Sequence, residues 1–167
     1  MIKYLQRNEC IFCSNTILTK ILAKNLSIPL GCYTIEETNK CYLMPYNILK
    51  CEKCNTYQTE YIGDRNIIYN YIVKPYGTIR SSMYIKFAKF ILNNQNIYKI
   101  TEFGAGDGEL SDIILENKDI EYNIIDPSYS GNVSNRNIIN DYIENIDYIS
   151  GDTLIMSHIF EHLYEIF

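Results

Sequence analysis

Ile100-Thr101-Glu102-Phe103-Gly104-Ala105-Gly106-Asp107-Gly108 is an apolar run ending in an acid and three glycines at alternate positions, with a helix-like segment directly after it. A chain can leave a strand, turn this tightly and enter a helix only where its residues tolerate backbone angles closed to side chains. Glycine tolerates them, and it also lets a ligand approach the backbone closely. The stretch therefore predicts a strand handing over to a nucleotide-binding helix, with a ribose-bearing cofactor at the turn. Only about sixty of the 167 residues follow it, roughly half of what a doubly wound domain requires.

The residues around this turn alternate in the rhythm of a parallel α/β sheet. Periodicity predicts a strand over Tyr98 to Phe103, a helix over Glu109 to Asn117 and a strand over Glu121 to Ile125. A loop rich in Ser, Gly and Asn follows, then a short strand near Asn137 to Asn140 and another over Thr153 to Ser157. Asp126 ends the second of these strands about 20 residues beyond the glycines, where a carboxylate can hold ribose hydroxyls. The spacing of Gly104, Gly106 and Gly108 is GxGxG and not the dinucleotide fingerprint GxGxxG, and Glu102 adds a negative group beside the loop. Carboxylates here suit a pyrophosphate poorly and a cationic sulfonium better. S-adenosylmethionine is thus the expected cofactor; a purely structural turn and another nucleotide are the alternatives.

A second constraint comes from cysteine. Cys10-Ile11-Phe12-Cys13 and Cys51-Glu52-Lys53-Cys54 are two CxxC pairs, each able to bite one zinc ion, and together they supply four thiolates for a closed tetrahedral site. A redox dithiol or unconnected buried thiols are the alternative reading. Cys32 and Cys41 belong to neither pair. The segment Ser14 to Lys50 must build its own small structure between the knuckles, with a helix-like stretch over Ile17 to Asn25 and a turn at Ile28-Pro29-Leu30-Gly31. Such a module is too small to be stable by its core alone and depends on the metal.

Between the two regions, Ile79, Met83, Phe87, Phe90 and Ile91 recur at helical spacing after the breaker Pro75-Tyr76-Gly77, predicting an amphipathic helix that packs on the sheet. The resulting organisation is a zinc-binding module at 1–62, a helical linker at 63–97 and a partial Rossmann-like cofactor domain at 98–167. A formal net charge of -5 argues against a general nucleic-acid or membrane-surface binder, since those present a basic face. Small molecules are the expected partners. No apolar run reaches the roughly 20 residues of a membrane span, and Met1 to Arg7 lacks the apolar core of a signal peptide; the cytosol is the expected location.

Taken in order, these features resemble a known family, the zinc-containing sugar C-methyltransferases. These are class I S-adenosylmethionine-dependent enzymes that methylate deoxysugar nucleotides and carry a cysteine-rich N-terminal domain. The resemblance rests on Cys10-x-x-Cys13, the Ile28 to Gly31 turn, Pro45 to Cys54 with Gln58 shortly after, and Tyr69-Asn70-Tyr71. It continues through Glu102 to Gly108, Asp126-Pro127 and Ser157-His158-Ile159-Phe160-Glu161-His162. It implies structural zinc at Cys10, Cys13, Cys51 and Cys54, and S-adenosylmethionine at Glu102, Gly104, Gly106, Gly108 and Asp126. It also implies that Tyr71 lies near the cofactor or sugar and that His158, with His162 second, acts as the base. Carbon methylation of a nucleotide-linked keto-deoxysugar requires such a base, and histidine's proton affinity suits that role near neutrality.

The family sheet has seven strands and a further C-terminal domain, whereas these residues end just after the fourth strand. The sequence is accordingly expected to be a fragment of a longer protein, a decayed reading frame or one half of a split enzyme, in that order. Efficient catalysis by these residues alone is not expected, because the acceptor site would lack one wall. A catalytically inactive zinc-containing binding or regulatory module on a degenerate methyltransferase core is the alternative function. Surface and capping roles are the alternative for Glu161 and His162, and a bland role of the same kind is the alternative for His158.

Overall fold

Short apolar runs bounded by Gly, Asn and Cys turns dominate the first half of the chain, and in the computed structural model they become strands. The structure describes residues 4–28, 42–65, 78–94 and 96–164. The chain divides into two compact units, Met1–Lys74 with Tyr164–Ile166, and Pro75–Leu163 with Phe167.

In the first unit, β1 (Tyr4–Gln6), β2 (Leu18–Ile28), β3 (Tyr42–Cys51), β4 (Tyr57–Thr59) and β5 (Tyr61–Gly63) form two small sheets. One pairs β1 with β5, and the other runs in the order β2-β3-β4; all of the pairings are antiparallel. Among the described residues of this unit, the buried apolar side chains are Leu49 and the cysteines Cys10 and Cys51. A buried polar knot adds to them: the Glu60 carboxylate accepts from Asn47 Nδ2 at 2.6 Å and from Gln6 Nε2 at 3.0 Å, and pairs with Lys20 Nζ at 2.8 Å. The Lys20 ammonium first, then the amides of Asn47 and Gln6, hold that carboxyl below its ordinary value.

The helix expected over Ile17 to Asn25 is not there; those residues lie in and beside β2. Leu18, Ile21 and Leu22 do fall at helical spacing, but Leu18 pairs with Cys51 and Leu22 with Ile48, and the register slips between Lys20 and Leu22. A bulge at Ile21 removes the period-two alternation that would mark a strand. Pairing with a distant segment then decides the conformation against local propensity. The Ile28 to Gly31 turn, Cys32, Cys41 and the Tyr69-Asn70-Tyr71 element fall wholly or mainly outside the described residues.

The second unit begins with α1 (Thr78–Leu92), followed by β6 (Lys99–Phe103), α2 (Glu109–Asn117), β7 (Glu121–Ile125), β8 (Asn137–Ile139) and β9 (Thr153–Met156). Each expected element of this region is present, with strand ends differing by one residue at most, but the face expected on α1 is only partly right: Phe87 and Ile91 pack on the core with Ala88, whereas Ile79, Met83 and Phe90 are exposed. The four strands form a wholly parallel sheet in the order β8-β7-β6-β9. Counted from β6 this is 3-2-1-4, a Rossmann-like order whose topological switch point lies between β6 and β9, at the carboxyl ends where such sheets bind ligands. Alternate residues of β6 and β7, Ile100, Tyr122 and Ile124, pack with Ala88 and Ile91 of α1 and Leu110 and Ile114 of α2. Phe103, Ile125 and Ile143 form a smaller cluster on the other face.

Candidate metal centre and glycine-turn site

Two knuckles of the same construction meet in the first unit. In each, the amide four residues after the first cysteine donates back to that cysteine's carbonyl: Ser14 to Cys10 at 2.9 Å and Asn55 to Cys51 at 3.0 Å. The cysteine amide in turn donates to the carbonyl five residues ahead, Asn15 and Thr56, both at 2.9 Å. The turn forces the residue after each second cysteine into left-handed geometry, with φ 53° at Ser14 and 61° at Asn55. Asparagine accepts that conformation more readily than most side chains. Gln58, buried on β4, stitches the first knuckle down by accepting from the Ile11 amide at 3.0 Å and donating to the Glu9 carbonyl at 2.8 Å.

The construction brings the four sulfurs together. Cys10 Sγ lies 3.5 Å from Cys54 Sγ and Cys13 Sγ 3.7 Å from Cys51 Sγ, and all four lie within 4.8 Å of one another. A disulfide would need about 2.05 Å. Thiolates about 2.3 Å from a tetrahedral zinc lie about 3.8 Å apart, so the cluster fits a metal of that kind and not a pair of disulfides. Its electrostatics agree. Amide bonds from Cys54 and Lys53, with help from Asn15, hold the Cys51 thiol down at about 6, and Thr56 holds Cys54 low. The Asn15 amide acts in the same direction on Cys13, but burial and the three neighbouring sulfurs outweigh it and push Cys13 up to about 12. Thiols that resist ionising together are what a bound divalent cation relieves.

At the glycine turn, Gly104, Gly106 and Gly108 have φ of 66°, 63° and 80°, so backbone geometry alone accounts for all three. Their surroundings differ. A Cβ on Gly106 would meet only Arg80 Nη2, at 3.9 Å, whereas one on Gly108 would meet Tyr129 Oη at 2.6 Å. A Cβ on Gly104 would fall 1.9 Å from Ile159 Cδ1; the Ile159 side chain takes the space in front of the first glycine, beside the switch point. Asp126 is buried at the end of β7 and ties the turn down: its Oδ2 accepts from the Gly106 amide at 2.7 Å, and its Oδ1 from the Ser128 amide at 2.7 Å and Ser128 Oγ at 3.2 Å.

Glu102, 4% exposed, accepts from Tyr122 Oη at 2.8 Å. Burial drives its carboxyl up to about 7, with the Tyr122 hydroxyl opposing and Asp126 adding to the rise. It is therefore only partly ionised at neutral pH, and Asp107 is paired with Arg80 at 3.3 Å. The negative field expected at the turn is weaker than a count of carboxylates implies. Sequence reasoning missed Arg136, whose side chain is 2% exposed and which bonds Ser111 Oγ at 3.0 Å and pairs with Asp112 at the start of α2. Its place in a Ser/Asn-rich loop carries no signal of burial.

His158 and His162 stand just beyond β9, both exposed. His158 has a left-handed backbone, φ 57°, and its Nδ1 lies 3.5 Å from Glu161 Oε1. The Glu161 carboxyl is held below its ordinary value by its own backbone amide first, then by the two histidines. His162 closes a short 3-10 turn, Phe160–His162. Tyr71 lies outside the described residues. No helix among the described residues is long and apolar enough to cross a membrane. No family model matches the chain, and no curated protein matches it closely enough to establish kinship.

Proposed function

We propose that this chain is an S-adenosylmethionine-dependent methyltransferase that methylates a carbon of a nucleotide-linked keto-deoxysugar, with zinc held by Cys10, Cys13, Cys51 and Cys54 as a structural ion. The observation that carries the reading is the joining of the glycine turn to Asp126. The Gly106 amide bonds the carboxylate at the end of the neighbouring strand, next to the switch point of a parallel sheet in 3-2-1-4 order. An open α/β sheet binds nucleotides at that place. S-adenosylmethionine, when bound, supplies an electrophilic methyl group.

The residues of the chain do the rest. Gly106, where an added Cβ would meet only Arg80 Nη2 at 3.9 Å, offers backbone for close approach, and Asp126 has one lone-pair site for a ribose hydroxyl beyond those its three donors occupy. His158 takes the proton from the carbon beside the keto group, and Glu161 stabilises the imidazolium so formed. The experiment is calorimetric titration of the zinc-loaded chain with S-adenosylmethionine and S-adenosylhomocysteine. Saturable binding of both is expected; a folded, zinc-loaded protein that binds neither rejects the reading. One observation favours the alternative of an inactive zinc-containing module on a degenerate core. Ile159 fills the space before Gly104, and a chain that never bound cofactor would have no reason to keep that space clear.

A further inference from the structure

The four clustered sulfurs are alike in chemistry and unequal in access. Cys10 and Cys51 are 1% and 0% exposed and Cys13 is half-buried, whereas Cys54 is exposed. A reagent dissolved in water therefore meets Cys54 first. Cys10 Sγ stands 3.5 Å from it, on the other knuckle. A disulfide holds its sulfurs about 2.05 Å apart, so closing this pair takes an approach of only about 1.5 Å. The contact between Cys13 and Cys51, at 3.7 Å, likewise crosses from knuckle to knuckle. Short local bonds fix the backbone on both sides, Ser14 amide to Cys10 carbonyl and Asn55 amide to Cys51 carbonyl, and leave the sulfurs to swing about their own side-chain torsions. Thr56 Oγ lies 3.1 Å from Cys54 Sγ, and its rotatable hydroxyl can donate to that sulfur.

We propose that this cluster is an oxidation site, at which hydrogen peroxide joins Cys54 to Cys10 in a disulfide that links the two knuckles and dismantles the metal-binding set. The Cys54 thiolate attacks one peroxide oxygen; the O–O bond breaks and hydroxide leaves, taking a proton from solvent to become water. Cys54 is then a sulfenic acid. The Cys10 thiolate attacks the sulfenic sulfur, the S–O bond breaks, and the departing hydroxide is protonated to a second water. Two electrons pass from the two thiols to the peroxide, and the S–S bond is formed. A partner sulfur already in contact favours this outcome over the irreversible sulfinic step. Only Cys13 and Cys51 then remain as thiolates, where a closed tetrahedral site needs four ligands. Metal affinity falls, and with it the metal's share of this small unit's folding free energy. A thiol reductant reverses the bond by exchange. The disulfide step stands on the placement of the sulfurs; the loss of zinc rests on reading them as a structural metal centre.

The test treats the full, zinc-loaded chain with one equivalent of hydrogen peroxide, blocks the remaining thiols by alkylation and maps the disulfides by peptide mass spectrometry. A chromophoric chelator reads the zinc set free in the same samples. Cys10–Cys54 is expected as the dominant linkage, with one zinc released for each disulfide formed and both changes reversed by dithiothreitol and added zinc. Pairing within a knuckle, Cys10 to Cys13 or Cys51 to Cys54, overturns the proposal. So does linkage of Cys54 to Cys32 or Cys41, a Cys54 that stays reduced while other thiols oxidise, or a Cys54 that stops at sulfinic acid with no disulfide. The double variant Cys32→Ser/Cys41→Ser keeps all four knuckle cysteines and should give the same linkage; its disappearance there overturns the proposal as well. Zinc content before the oxidant is added separates the two readings. Metal-free folded protein that still forms Cys10–Cys54 keeps the oxidation site and rejects the metal centre, and a zinc-loaded protein that pairs otherwise rejects this site alone.

Discussion

Replacing Glu102 with glutamine should abolish a pH dependence built into the sheet. The carboxyl is almost wholly buried and is driven from an ordinary 4.5 up to about 7, so the folded state binds its proton more tightly than the unfolded chain does. Stability from this group is complete below about 4.5, falls as pH rises from there to about 7, and is level above it. This is the reverse of the usual carboxylate, whose contribution disappears on acidification. Across that window the loss amounts to about 3 kcal/mol, at about 1.4 kcal/mol for each pH unit separating the folded and unfolded values. Glutamine can still accept from Tyr122 Oη through its amide oxygen. It carries one more hydrogen than the protonated acid, which offsets the gain by about 1 kcal/mol where that hydrogen finds no partner.

The assay is native-state hydrogen exchange of the β6 and β7 amides at pH 5 and pH 8, because it reads this unit separately from the metal-bearing one. At pH 5 wild type and Glu102→Gln should be within about 1 kcal/mol of each other. At pH 8 the variant should be the more stable by about 2 kcal/mol. Acid-driven loss of zinc acts on both proteins alike and cancels in the difference. Parallel pH profiles, or a variant that is less stable at pH 8, would refute the argument that burial rather than the tyrosine bond governs this carboxyl.

Purified protein should contain roughly one zinc per chain. Cys51→Ser, which removes a fully buried ligand, should abolish stoichiometric zinc and unfold the first unit, as read by metal analysis and circular dichroism. Free reaction of all four knuckle thiols in folded protein would contradict the metal centre. At the glycine turn, Gly104→Ala should cost more than Gly106→Ala in a denaturation series. Both positions carry the left-handed penalty of about 1–2 kcal/mol, but only the first also collides with Ile159. Adding Ile159→Ala should recover part of the Gly104→Ala loss and none of the Gly106→Ala loss; equal losses at the two glycines would refute this placement of Ile159.

What could be read from the sequence was what is encoded locally. The knuckles close through bonds spanning four and five residues, so their spacing reveals them. Helix α2 follows from Gly108 at its N-cap and Leu110 and Ile114 on one face. Strand β2 was not readable as a strand, because it is fixed by pairing with the separate segment Tyr42–Cys51 and a bulge at Ile21 scrambles its alternation. The burial of the Arg136 side chain likewise depends on packing partners that no local pattern announces. Local rules also do not reveal that Ile159 projects toward Gly104, which lies more than fifty residues earlier.

Asp126 shows how residue type and spacing can locate a group while leaving its work undetermined. An acid about 20 residues beyond a glycine turn was expected to face a ribose, yet its carboxylate already accepts from the Gly106 amide, the Ser128 amide and Ser128 Oγ. A carboxylate offers about four lone-pair sites, so one remains while these bonds persist. A ribose diol presents two hydroxyls, and binding both would require Ser128 Oγ, the longest of the three contacts at 3.2 Å, to give way. The two amide bonds, each 2.7 Å, would stay and keep the acid aimed at the turn. On the proposed cofactor reading, the same contacts that make Asp126 a structural staple would preorganise it for the ribose, leaving only a weak hydroxyl contact to be exchanged on binding.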